Sequence, residues 1–113
     1  MKYVIDIDGT ICTNTNGEYE KAEPFYDRID NVNKLYDEGN TIIYFTARGM
    51  ATYFGNVELA HNKWFEFTEE QLKKWNAKYH NLILGKPSGD FYIDDKGIAS
   101  NDFFLRIYEQ FKL

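Results

Sequence analysis

Apolar residues along this chain recur in two rhythms, and their alternation predicts the element order. Residues Lys2 to Ile7 (KYVIDI) form a short, β-branched and mostly apolar run, which predicts a strand buried on both faces. From Phe25 to Glu38, the residues Phe25, Ile29, Val32, Leu35 and Tyr36 share one helical face. Pro24 stands just before this stretch as a start signal and Gly39 just after it as a stop signal. Thr41 to Phe45 (TIIYF) predicts a second buried strand. Thr68 to Tyr79 opens with Thr-Glu-Glu-Gln, a capping pattern with Gln71 at the reciprocal position, and predicts a helix. Asn81 to Leu84 and Phe91 to Ile93 predict two more strands. The tail from Ile98 to Phe111 carries Phe103, Phe104, Ile107, Tyr108 and Phe111 at helical spacing.

Strand and helix in alternation predict a mainly parallel sheet with helices on both faces. No repeat, low-complexity tract or linker interrupts the pattern, and 113 residues suit a single domain over residues 1–113. Asn16-Gly17 is a tight-turn signal, so Cys12 to Ala22 reads as a small hairpin flap, with Asn14 and Tyr19 as candidate substrate contacts. Thr10 to Pro24 and Gly49 to Phe67 are both too short to form a domain of their own.

Ligands of parallel α/β sheets bind beyond the carboxyl ends of the strands, and the chain places its polar residues there. The first strand runs into Asp6-Ile7-Asp8-Gly9-Thr10, the second into Thr46-Ala47-Arg48-Gly49, the third into Gly85-Lys86-Pro87 and the fourth into Asp94-Asp95-Lys96. Asp6, Asp8, Asp94 and Asp95 gathered at one sheet edge would repel one another unless a cation lay among them. Oxygen-only ligands favour Mg²⁺ over zinc. Such a cluster suits phosphoryl transfer. One carboxylate attacks phosphorus, a second moves protons, and a lysine, a hydroxyl and backbone N–H groups hold the phosphoryl oxygens.

Composition narrows the partners. A net charge of −5, with no basic run beyond Lys73-Lys74, argues against a nucleic-acid backbone as the main partner. Cys12 is the one cysteine, which excludes an intramolecular disulfide and suits a reducing compartment; its expected role is that of a small buried side chain. The start, MKYVIDIDGT, is broken by aspartates and does not read as a signal peptide, and no segment reads as a membrane span, so the expected location is cytoplasmic. Aromatics make up 18% of the chain, more than one small core readily holds, which points to self-association into a homo-oligomer. Trp64, Phe65 and Phe67 are expected in a core or interface, and His61 and His80 as exposed or locally bonded residues.

DIDGT at Asp6 to Thr10, Thr46 after a buried strand, Lys86, and the pair Asp94-Asp95 resemble the four motifs of the haloacid-dehalogenase superfamily, in the family's order. The resemblance spans about residues 2 to 97. It implies a three-layer Rossmann-like fold with a minimal flap and no cap domain, and it implies Mg²⁺ as cofactor. Asp6 would be the nucleophile and Asp8 the general acid/base, also offering its carbonyl to the metal. Thr46 would bind the phosphoryl group, with Ala47 and Arg48 beside it on the substrate. Lys86 would stabilise charge, and Asp94, with Asp95, would ligate the metal. FTARG, TEEQLKKW and GKPSGDFYIDDK together look most like small bacterial phosphatases of capsule or polysaccharide biosynthesis, which implies a sugar phosphate as substrate. Arg48 is then placed to grip a second anionic group. The sequence departs from the family in one respect. Lys86 precedes Asp94 by only about eight residues, too few for a helical crossover, and Lys96 is the alternative lysine. The rival readings are a phosphotransferase or mutase, a nucleotide-end phosphatase, a signalling receiver domain whose motif order does not match, and a non-catalytic phosphate-binding protein.

Overall fold

The computed structural model describes residues 1–112 as three parallel strands and three α-helices. Strands β1 (Lys2–Ile5), β2 (Thr41–Thr46) and β3 (Asn81–Leu84) lie side by side in the order β1-β2-β3. Tyr3 sits beside Ile42 and Ile5 beside Tyr44, while Tyr44 sits beside Leu82 and Thr46 beside Leu84. Parallel neighbours need crossover connections. Helix α1 (Tyr26–Asp37) lies in the first and α2 (Val57–Lys74) in the second, and α3 (Ser100–Phe111) follows β3 and packs on α1.

One face of the sheet carries the core. Ile5, Ile42, Tyr44, Leu82 and Leu84 are buried with Ile29, Val32 and Leu35 of α1, Leu72 of α2, and Phe104 and Ile107 of α3. The alternate strand positions point to the other face, where Val4 is 60% exposed and Ile83 40%. The helices thus cover one face, and the expected three layers are two. Right-handed crossovers that step in one direction across a sheet place both helices on the same side. A further strand on the far side of β1 is what would reverse that direction, and none is present among the described residues. Phe91 to Ile93, expected as a fourth strand, is an open loop, with Phe91 86% and Ile93 95% exposed.

Other boundaries moved for local reasons. β1 ends at Ile5, just before the turn at Ile7–Thr10 in which the Ile7 carbonyl accepts the Thr10 N–H. The helix expected from Thr68 begins at Val57 instead and ends at Lys74. Its N-cap is Asn56, whose Oδ1 accepts the Leu59 N–H at 3.1 Å. Thr68 lies deep inside that helix, on the stripe Ala60, Trp64, Thr68, Leu72 that faces the core, so its resemblance to a cap is accidental. The flap is a loop and not a hairpin of strands. A bridge between Cys12 and Pro24 closes its base, Asn16 and Gly17 turn its tip with φ of 54° and 94°, and Tyr19–Lys21 form one 3₁₀ turn.

Gly49, after β2, lets the chain turn beside α2. Its φ is +79°, and a Cβ there would stand 2.8 Å from Trp64 Cδ1 and 3.2 Å from the Ala60 Cα. Gly49→Ala combines left-handed strain with a clash against helix backbone and is expected to cost about 1–3 kcal/mol. Urea denaturation with an unchanged m-value checks this. Leu72→Ala, which empties a fully buried position, is expected to cost about 2–5 kcal/mol by the same measurement.

Candidate functional site

The loop after β1 is built around Ile7, whose side chain is fully buried and whose carbonyl accepts N–H bonds from Thr10 at 3.0 Å and Ile11 at 2.9 Å. Gly9 takes φ +83°, and its N–H donates to the Cys12 carbonyl at 2.9 Å. With Ile7 anchored inward, Asp6, Asp8 and Thr10 remain half-buried at the carboxyl end of the sheet. Thr10 Oγ1 donates to Asp6 Oδ2 at 3.2 Å. Lys86 reaches the same carboxylate from β3, its Nζ 3.5 Å from Asp6 Oδ1. The Lys86 N–H donates to the Thr46 carbonyl at 3.2 Å, which holds the turn after β3 against the end of β2. Of the two candidate lysines, Lys86 therefore meets Asp6, while Lys96 is exposed in the loop beyond. Burial raises the Asp6 pKa above the ordinary carboxylate value. Lys86, Thr10 and the Ile7 backbone pull it down less strongly, and Asp8 adds to the rise.

Asp8 is held differently. Arg48 Nε donates to Asp8 Oδ2 and Nη2 to Oδ1, both at 2.9 Å, a bidentate pair whose arginine side chain is wholly buried. Arg48 Nη1 donates to Thr68 Oγ1 of α2 at 3.2 Å, and its guanidinium lies 4.8 Å from the Tyr19 ring centroid. The Tyr19 hydroxyl accepts the Gly49 N–H at 3.0 Å, and the Tyr19 carbonyl accepts Gln71 Nε2 at 2.9 Å. Thr46 is buried, and its Oγ1 accepts the Arg48 N–H at 3.2 Å. Ala47, half-buried, accepts the Met50 N–H at 2.9 Å and completes the turn. Arg48 was expected to face a second anionic group of the substrate; it turns inward instead and serves Asp8. Its burial leaves it no path to a solvent-borne ligand.

Asp94 and Asp95 are not brought to Asp6 and Asp8. Both are exposed in the loop before α3, where Asp94 Oδ1 accepts the Lys96 N–H at 3.1 Å, the first cause of a lowered Asp94 pKa. Among the described residues, no group of three or more His, Cys, Asp or Glu side chains is placed to hold a metal ion. Within one chain, the expected Mg²⁺ site is thus not assembled, because Asp94 and Asp95, two of its four expected ligands, are exposed in the loop before α3. Asn14 is also apart from the site, exposed on the flap with its Oδ1 accepting the Asn16 N–H at 3.4 Å. Thr68 is the contributor that sequence reasoning missed. The signal for it was a hydroxyl at a core position of a helical stripe. Cys12 is fully buried, its Sγ 3.6 Å from both the Ile7 carbonyl and Asp8 Oδ1, which share its one S–H. Burial, reinforced by Asp8, pushes that thiol up to about 12, so it stays protonated and is no nucleophile.

The two site aspartates are expected to respond oppositely to neutralisation. A raised folded-state pKa means that Asp6 supports folding most below its ordinary value of 3.8, and that this support is lost as pH rises through the folded value. Asp6→Asn is therefore expected to raise the melting temperature at pH 7, with the gain fading as pH falls toward 4. Asp8→Ala leaves the buried Arg48 charge without its partner and is expected to cost about 3–5 kcal/mol. Thermal and urea melts of both variants across pH 4–8 check the pair.

No family model matches the sequence, and no curated protein matches it. No helix among the described residues is long and apolar enough to cross a membrane. A crystal structure of a target protein from Vibrio cholerae is similar at a TM-score of 0.85 and 30% sequence identity, over 98% of this chain and 96% of that one. Likeness in sequence and fold over nearly the whole of both chains is a family relationship. This small α/β chain belongs to the same family as the Vibrio cholerae protein.

Proposed function

We propose that this protein is a phosphomonoesterase of the haloacid-dehalogenase type, working through a phosphoryl group carried on Asp6. The observation that carries this reading is the pairing of two unlike carboxylates at the carboxyl end of a parallel sheet. Asp6 lies between the Thr10 hydroxyl and the Lys86 ammonium, and Asp8 is oriented on a buried Arg48. Carboxyl groups in different surroundings take different chemical roles.

In this mechanism an Asp6 oxygen attacks phosphorus, and the bond to the leaving-group oxygen breaks. Asp8 takes up a proton from solvent as the substrate binds and passes it to the leaving oxygen. Water then attacks the aspartyl-phosphate and gives its proton to Asp8, which restores the Asp6 carboxylate and releases phosphate. Lys86 offsets the charge on the phosphoryl oxygens, with the Asp8 backbone N–H as a further donor; Thr46 is as buried as Arg48 and shapes the turn behind them. Each Asp8 oxygen now accepts from Arg48, so proton transfer requires that carboxylate to exchange one of these bonds for the reacting oxygen. An open cleft of about 470 Å³, lined by Met50, Phe54, Val57 and the glycine and proline on either side of Lys86, gives the organic part of the substrate an apolar wall. A sugar phosphate is the substrate class that the sequence resemblance favours. Mg²⁺ is its implied cofactor, although one chain alone does not assemble the ligands.

Hydrolysis of an aryl phosphate in Mg²⁺ buffer is the first test. Phosphate release that disappears in Asp6→Asn supports the reading. Wild-type protein that neither turns over nor is stabilised against heat by beryllium fluoride with Mg²⁺ overturns it. Arg48→Lys loses the bidentate fit and is expected to lower kcat roughly 10- to 100-fold. KM should change little, because Arg48 has no route to the substrate. A KM effect with kcat preserved would return Arg48 to the role of anion binder.

A further inference from the structure

Two features of the chain lack a counterpart within it. Among the described residues, the outer edge of β1 carries no neighbouring strand, and Val4 on it is 60% exposed. An unpaired edge in the sheet's own apolar strand leaves backbone donors and acceptors open and invites pairing with another chain. The second feature is the arm between β3 and α3. Its centre, Phe91-Tyr92-Ile93, is β-branched and aromatic, yet Phe91 is 86% and Ile93 95% exposed. Both ends of the arm are held at the carboxyl end of the sheet. Lys86 is bonded there to Thr46, and Asn101 Oδ1 accepts Arg28 Nη2 at 2.7 Å while Arg28 Nη1 donates to the Thr10 carbonyl at 3.0 Å. The arm therefore projects from the edge where Asp6 and Asp8 lie.

The arm cannot readily serve its own β1. From Lys86 to Phe91 an extended chain spans about 17 Å. Reaching the far side of β1 means crossing three strand spacings of about 4.8 Å and descending about 13 Å, from the level of Thr46 to that of Tyr3, to enter in the parallel sense. That path, roughly 19 Å in a straight line, exceeds the reach of the segment. The near end of the arm is also drawn into a compact turn: the Tyr92 hydroxyl donates to the Pro87 carbonyl at 2.7 Å and accepts the Gly89 N–H at 3.1 Å, and Lys86 Nζ lies 4.1 Å from the Tyr92 ring centroid. An arm from another molecule must open that turn too, but its reach is not fixed by the Lys86 of the copy it joins.

We propose that Phe91–Ile93 of one copy pairs with the free edge of β1 in a second copy, and so delivers Asp94 and Asp95 to the Asp6 and Asp8 of that copy. With Ile93 beside Ile5, Asp94 falls beside Asp6. Phe91 and Ile93 join the helix-covered face with Tyr3 and Ile5, and Tyr92 joins Val4 on the other. The exchange is reciprocal about a two-fold axis, so both edges are closed and both sites gain their missing carboxylates. This inference rests on the phosphatase reading for the role of the aspartates, but not for the pairing itself.

The double variant Val4→Cys/Tyr92→Cys, treated with a short thiol-to-thiol cross-linker, tests the pairing directly. Both native side chains are more than half exposed, so the substitutions leave the core intact. A covalent dimer is expected. A cross-link confined to one chain, or none, overturns the proposal. Sedimentation equilibrium of the wild type should show a dimer or a multiple of it, and Phe91→Asp should reduce it to a folded monomer. A wild-type monomer at micromolar concentration overturns the proposal whatever its activity.

The site is tested by mixing. Asp6→Asn and Asp94→Asn proteins should each lose Mn²⁺ binding by calorimetry. Refolded together, they should recover about a quarter of the wild-type sites, because half the dimers are mixed and each mixed dimer holds one intact site. No recovery from the mixture overturns delivery in trans. A cross-linked dimer without phosphatase activity would leave the interface standing while the functional reading falls. An active monomer would do the reverse.

Discussion

A guanidinium sealed inside a small protein is tolerated only with its charge matched and its donors used. Arg48 meets both demands through four segments at once. Asp8 comes from the loop after β1, Thr68 from the interior of α2, Tyr19 from the flap, and Arg48 itself from the end of β2. The position of the flap, the rotation of α2 about its axis and the course of the first loop are therefore mutually constrained. The flap needs no strands of its own, because Tyr19 is fastened to Gly49 by its hydroxyl and to Gln71 by its carbonyl.

That same constraint separates the two aspartates. Adjacent acids on one loop would be expected to share their surroundings, yet Asp8 is committed to a buried cation while Asp6 meets Lys86 at 3.5 Å in a half-buried setting that disfavours its charge. A desolvated carboxylate with a single cation at 3.5 Å is less well stabilised than one in a bidentate pair, and is freer to form a new bond. Stability and reactivity thus divide between positions two residues apart. The site gains its asymmetry from Ile7, which points inward and sends its neighbours outward.

Several elements were legible from the sequence because their cause is local. The strands at Thr41–Thr46 and Asn81–Leu84 and the helix at Tyr26–Asp37 follow from apolar periodicity and the flanking Pro24 and Gly39. α2 was misread because the Thr68 capping pattern is genuine as a pattern. Helix starts depend on whether the preceding turn is already helical, and here Asn56 had begun the helix about three turns earlier. Phe91–Ile93 was misread for another reason. A strand is half an interaction, and its residues cannot report whether an edge lies within reach.

By itself the sequence determined the alternation of elements, the parallel sense of the sheet and the place of Asp6, Asp8, Thr46 and Lys86 at one end of it. These follow from local periodicity and from the rule that polar residues at strand ends escape burial. The tertiary structure alone decided that the helices lie on one face, that Arg48 points inward, and that Asp94 and Asp95 are apart from Asp6. Each of these depends on connection length, handedness and the need to pair a buried charge, which are properties of how segments meet and not of any one segment.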